Sequence, residues 1–130
     1  MKNAITYVGI DAHKKDLYLA MLVGDQATPV TWQVPNEPNA VRRLVRQLER
    51  DAPGEVRCCY EAGPGGYALQ RQLTTPRVGC QVIAPALIPR KPGDRVKTNR
   101  RDARKLVELL PAGLLTEVHP PTLAEEAVCD

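Results

Sequence analysis

The sequence predicts an α/β domain built on a mixed five-stranded sheet flanked by helices. Three features lead there. The run from Ile5 to Val23 reads as two apolar strands around a polar turn. Two later apolar runs, 55–60 and 78–83, each follow a stretch of helical periodicity. A strand that follows a helix returns to the sheet by a crossover, which makes it parallel to an earlier strand.

The first strand, Ile5 to Ile10, is rich in β-branched and aromatic residues, as in a strand buried on both faces. The second, Leu17 to Val23, is similar. Asp11-Ala12-His13-Lys14-Lys15-Asp16 is the turn between them. Asp11 falls where buried strand gives way to turn. A partly desolvated carboxylate is costly unless a cation compensates it, which a divalent metal site exploits. An Asp there also starts a turn through its own side chain. His13 and Lys14 beside it fit either substrate contact or a solvated turn.

After the turn Gly24-Asp25-Gln26, Thr28 to Val34 alternates as a third, antiparallel strand. Asn36 to Arg50 is an amphipathic helix with Asn36 or Asn39 as cap and Val41, Leu44, Val45 and Leu48 as its apolar stripe. Pro53-Gly54 stops it. Glu55 to Tyr60 is the fourth strand, parallel to the first, and leads into Glu61-Ala62-Gly63-Pro64-Gly65-Gly66. If it lies beside the first strand, Asp11 and Glu61 emerge at one sheet edge, outside the carboxyl ends of parallel strands. Open α/β sheets bind ligands there. The glycines allow close backbone approach or only a tight turn; the Lys-Ser/Thr spacing of a phosphate loop is absent.

Tyr67 to Leu73 continues as a helix with Leu69 and Leu73 inward, and Val78 to Ile83 is the fifth strand. Ala84 to Thr98 holds three prolines and a glycine, so it is a long irregular loop. Thr98 to Leu110 is a helix capped by Thr98 or Asn99, with Leu106, Leu109 and Leu110 toward the core and Asn99 and Asp102 on one face. Leu114 to Val118 has the composition of a short strand. His119 to Asp130 reads as the start of a further segment.

A length of 130 residues suits one domain with a true core. No apolar run reaches the roughly 18 residues of a membrane helix, and the start has no signal-peptide form, so a cytoplasmic protein without membrane contact is expected. The four cysteines form no CxxC pair, which argues against zinc. Cys58, Cys59 and Cys80 read as small buried hydrophobes in a reducing compartment, with the adjacent Cys58 and Cys59 on opposite faces of a strand. The net charge of +3 is unevenly placed: Arg90, Lys91, Arg95, Lys97, Arg100, Arg101, Arg104 and Lys105 crowd one stretch, opposed by Asp94 and Asp102. Such an excess suits a polyanion partner, or else a solvated loop and helix face.

The order β-β-β-α-β-α-β-α, with acids after the first and fourth strands and on the last helix, is the layout of the ribonuclease H-like fold. Four segments then carry a specific resemblance: YVGIDAHKKDLYLA, CYEAGPGGYALQRQL, VIAPALIPRKPGDRVKTNRRDARKL and LTEVHPP. Over nearly the whole chain the sequence resembles the amino-terminal DEDD domain of a bacterial insertion-sequence transposase family. That family is itself similar to the Holliday-junction resolvase and the pilin-gene invertase, and its recombinases are guided by a structured bridge RNA.

The resemblance implies a DNA transposase domain that uses Mg²⁺ or Mn²⁺ for strand cleavage and exchange. It places the acidic tetrad on Asp11, Glu61, position 99 and Asp102, with Asp11, Glu61 and Asp102 as metal ligands. Position 99 is Asn, which offers a carbonyl oxygen without charge. Arg90, Lys91, Arg95, Lys97, Arg100, Arg101 and Arg104 are the expected contacts to DNA or guide RNA phosphates. Residues 1–118 would be the catalytic domain and 119–130 the start of a linker to a second, serine-bearing domain. A homo-oligomer is expected of the full-length protein.

Two other functions fit parts of the pattern. A non-catalytic nucleic-acid-binding or assembly module would keep the fold without turnover, in line with Asn99. An actin-like or sugar-kinase domain opens with a similar hairpin, but needs Gly and Ser/Thr after its first Asp, where this chain has Ala12-His13-Lys14. Trp32 and Tyr67 are candidates for base stacking or for plain packing.

Overall fold

The structure is a computed structural model that describes residues 4–24, 26–63, 66–85 and 99–119, without the side chains of 99–101. Its elements are β1 (Thr6–Ala12), β2 (Asp16–Val23), β3 (Val30–Pro35), α1 (Pro38–Asp51), β4 (Val56–Glu61), α2 (Ala68–Leu73), β5 (Val78–Ile83), α3 (Asn99–Leu109) and β6 (Glu117–Val118). The strands form one mixed sheet in the order β3-β2-β1-β4-β5-β6. β1, β4 and β5 are parallel neighbours; β2, β3 and β6 run antiparallel to their partners. The architecture is α/β and compatible with a ribonuclease H-like fold. Its described sheet has six strands where five were expected. The sixth, β6, is two residues long and lies within the Leu114–Val118 run that has the composition of a short strand.

One face of the sheet is covered by α1 and α2. Val8, Ile10, Leu17, Leu19, Cys58, Tyr60 and Val82 meet Val41, Leu44, Val45, Leu48, Leu69 and Leu73 there in a single large cluster. The expected α1 stripe is thus the buried one. Its cap is not as expected: Glu37 occupies the cap position without a side-chain hydrogen bond, and Pro38 opens the helix. Proline fixes φ near the helical value and has no N–H to leave unsatisfied in the first turn, so a capping side chain is dispensable. Asn36 and Asn39 are otherwise engaged, Asn36 with the β1–β2 turn and Asn39 with Arg42.

The other face is covered by α3, through two smaller clusters. Ala20 and Leu22 pack with Ala103 and Val107, and Cys59 and Ile83 pack with Leu106. The most buried α3 residues are therefore Ala103, Leu106 and Val107, with Leu109 and Leu110 only partly covered. The approach is close at Gly9, where an added Cβ would collide with the Ala103 carbonyl and lie 2.7 Å from the Val107 amide nitrogen. Cys58 and Cys59 face opposite sides, as alternation requires, and both thiols are free.

Two of the boundaries that differ from the sequence reading concern the acids. β1 continues through Asp11 and Ala12, paired with Tyr18 and Leu17, so Asp11 lies inside the strand. Leu17 is fully buried and holds that register, which leaves only His13, Lys14 and Lys15 for the turn. β4 likewise includes Glu61, paired with Ile83 of β5. No described helix is long and apolar enough to cross a membrane.

Candidate active site

The parallel pairing of β1 and β4 sets Ile10 opposite Tyr60. Asp11 and Glu61 are the next residues on each strand. Gly9 and Cys59, two positions earlier, both face α3. Side chains alternate along a strand, so Asp11 and Glu61 leave the sheet on that same face, from strands about 4.8 Å apart. Both are half-buried, and the Asp11 side chain is only 15% exposed.

Asp102 lies on the helix that covers this face. It directly precedes Ala103, the residue pressed on Gly9, and stands one turn before Leu106, which packs on Cys59. It is half-buried, with its Oδ2 screened from solvent. Sequence reasoning expected Asp11 and Glu61 at one sheet edge and Asp102 on the last helix, and the structure places them there. That reasoning did not foresee their spacing: among the described residues, no three His, Cys, Asp or Glu side chains stand close enough to hold a metal ion between them. Asn99 is the first residue of α3, and its side chain lies outside the described residues.

The sequence reading left His13 undecided between substrate and solvent. In the structure its Nε2 is 2.8 Å from Asp11 Oδ2. The imidazole also meets Tyr18 edge-on, with centroids 5.7 Å apart and planes at 89°. Tyr18 is the cross-strand partner of Asp11, so all three groups occupy one patch. The Asn36 side chain donates to the His13 carbonyl at 2.7 Å, and the Asn36 amide to the Lys15 carbonyl at 2.8 Å. The Asp-x-His spacing was the available signal for this contact, because residues two apart along extended chain share a face.

Beside Glu61 opens a cleft of about 650 Å³, lined in part by His13, Lys14, Asn36, Tyr60 and Gln72. Its wall is fixed by the Tyr60 hydroxyl, which donates to the Gly66 carbonyl at 2.9 Å and accepts from the Gln70 amide at 3.1 Å. Burial pushes the Tyr60 phenol up from its ordinary value. The glycine-containing turn is thus tied to the end of β4. Trp32 and Tyr67 pack, partly buried, against the main core.

Of the basic residues, Arg104 is exposed on α3. Arg100 and Arg101 belong to α3, but their side chains lie outside the described residues, as do Arg90, Lys91, Arg95 and Lys97 altogether.

Fold and site together define a class: an α/β domain that presents acids at the carboxyl edge of parallel strands. Comparison with known proteins narrows it. The chain is 44% identical over 126 residues to the provisionally named transposase y4qE of Sinorhizobium fredii, across 95% of this chain and 32% of that protein. It is 36% identical over 111 residues to the transposase for insertion sequence element IS1533 of Leptospira borgpetersenii, across 85% of this chain and 32% of that protein. The chain spans about a third of the length of these curated relatives. No family model matches it. Both relatives carry transposase names.

Proposed function

We propose that residues 1–118 form the ribonuclease H-like DEDD catalytic domain of an insertion-sequence transposase, with 119–130 leading toward a further domain. The observation behind this reading is the placement of Asp11 and Glu61 side by side at parallel strand ends, on the face that α3 covers with Asp102. The relatives' names support a transposase role.

The residues suit Mg²⁺ or Mn²⁺ in a particular way. Carboxylate oxygens are the hard donors these ions prefer. Mg²⁺ is commonly held by one or two carboxylates together with waters and substrate phosphate, and needs no closed protein cage. Asp11 and Glu61 supply two such carboxylates, and Asp102 a third from α3, so the wide spacing of the acids is compatible with an ion completed by a DNA phosphate. When bound, the metal would stabilise charge on the attacking and leaving oxygens of the phosphodiester. The chain's own part is to hold acceptor oxygens at the strand ends and cations around the DNA. Arg104, with Arg90, Lys91, Arg95, Lys97, Arg100 and Arg101, would take backbone phosphates of DNA or of a guide RNA. A homo-oligomer is proposed for the full-length protein.

Calorimetric titration of Mn²⁺ in the presence of short duplex DNA tests the reading. Asp11→Ala and Glu61→Ala are each expected to weaken binding at least tenfold. Equal binding by wild type and both variants contradicts it. The absence of a ready-made trio among the described acids, together with Asn99, favours a second reading, a nucleic-acid-binding module without turnover. That reading predicts salt-dependent DNA binding that is indifferent to metal and to Asp11.

A further inference from the structure

We propose that His13 is the positioning residue of Asp11: its imidazole donates a hydrogen bond that fixes one carboxylate oxygen and turns the other toward the bound cation. The inference rests on the reading of Asp11 as a metal ligand and adds a residue to it. An ionised carboxylate only accepts, so the proton in the 2.8 Å contact lies on His13 Nε2 and is donated to Asp11 Oδ2. Oδ1 is the oxygen this bond does not use.

The imidazole meets one further side chain, and the backbone that carries it is held as well. Tyr18 meets the ring edge-on from the strand opposite Asp11, at 5.7 Å between centroids. The Asn36 side chain grips the His13 carbonyl at 2.7 Å, and the Asn36 amide grips Lys15 at 2.8 Å. The β1–β2 turn is thereby tied to the corner between β3 and α1. His13 is exposed at 44% of its side chain, while Asp11 is exposed at 15%. An imidazole that only needed solvation would gain nothing from this hold. A hydrogen-bonded neighbour that orients a ligating carboxylate does gain from it, because a fixed carboxylate loses less rotational freedom when an ion arrives. Removing such partners of metal ligands commonly weakens metal binding 10- to 100-fold.

The test compares Mn²⁺ affinity, at one pH near 7.5 and with short duplex DNA present, for wild type, Asp11→Ala, His13→Ala and His13→Gln. Melting temperatures are measured without metal. The expected result is about tenfold weaker binding in His13→Ala. The amide N–H of His13→Gln reaches the same oxygen and should restore affinity to within about threefold of wild type. Metal-free melting temperatures should agree within about 3 °C, because a half-exposed side chain contributes little to global stability. Wild-type affinity in His13→Ala, alongside a loss in Asp11→Ala, overturns the role of His13 and leaves the ion site standing. Tighter binding in His13→Ala, or a His13→Gln as weak as His13→Ala, also overturns it. Equal binding by wild type and Asp11→Ala removes the ion site itself, and the inference with it.

Discussion

The two faces of the sheet are built on opposite terms. Under α1 and α2 the contacts are between large aliphatic side chains: Ile10, Leu17 and Leu19 against Leu44, Leu48 and Leu73. Under α3 small residues enter as well, with Gly9 against Ala103 at the closest approach and Ala20 beside them, next to Leu22, Ile83, Leu106 and Val107. The first face provides most of the apolar burial. The second lets the helix that carries Asp102 come close to β1, the strand that bears Asp11. Bulk stabilises the fold on one side; smallness makes room for polar groups on the other. Damage to the first face should therefore cost stability and spare the site. Damage to the second should cost the site at a lower cost in stability.

The largest expected effect is on the bulky face. Leu44→Ala should lower unfolding free energy by about 3 kcal/mol, since Leu44 is 2% exposed and the cavity cannot fully collapse. Chemical denaturation measures this, and Mn²⁺ affinity should stay near wild type at temperatures where the variant is folded. Gly9→Ala should cost less, about 2 kcal/mol, because the added methyl meets backbone atoms of α3 that must shift. Its hydrogen-exchange protection should fall in α3 and persist in α1, and Mn²⁺ binding should be lost. Loss of binding in Leu44→Ala with retention in Gly9→Ala would invert the comparison.

A smaller effect samples both faces, because each holds one buried thiol. Burial pushes Cys58 and Cys59 well above the ordinary thiol value of 9.0. Above pH 9 the unfolded chain releases these protons while the folded chain keeps them. The unfolded state then binds fewer protons, so stability falls as pH rises. It is fully present below pH 9, and each thiol contributes a slope of about 1.4 kcal/mol per pH unit above it. Burial also pushes the Cys80 thiol up, so denaturation between pH 8 and 10 should show this decline, and Cys58→Ala or Cys59→Ala should each remove about a third of it. The smallest effect concerns the cleft. Tyr60→Phe should cost about 1 kcal/mol, by freeing the Gly66 carbonyl and the Gln70 amide. Faster amide exchange at Gln70 checks it.

Much of this was legible in the chain. β5 has the predicted bounds, Val78–Ile83, because a short apolar run between turn residues admits few other readings. The parallel β1–β4 pairing followed from one intervening helix, and with it the neighbouring positions of Asp11 and Glu61. The exact reach of β1 and β4 did not follow. Acidic residues look like turn formers, whereas their cross-strand partners Tyr18 and Ile83 keep them in the ladder. The Asn36 cap was misjudged because its amide serves a turn 23 residues earlier, a contact invisible to local propensity. The Asp11–His13 contact was within reach of sequence reasoning, through spacing alone.

The claim on which the rest depends is that Asp11, Glu61 and Asp102 serve one ion on the α3 face. Anomalous diffraction from crystals grown with Mn²⁺ and a short DNA duplex tests it most directly. The account predicts a manganese peak at the carboxyl ends of β1 and β4, within coordination distance of Asp11 and Glu61 oxygens, about 2.1–2.3 Å, and on the side of the sheet that α3 covers. A peak elsewhere, or DNA bound with no manganese between those strand ends, would contradict it.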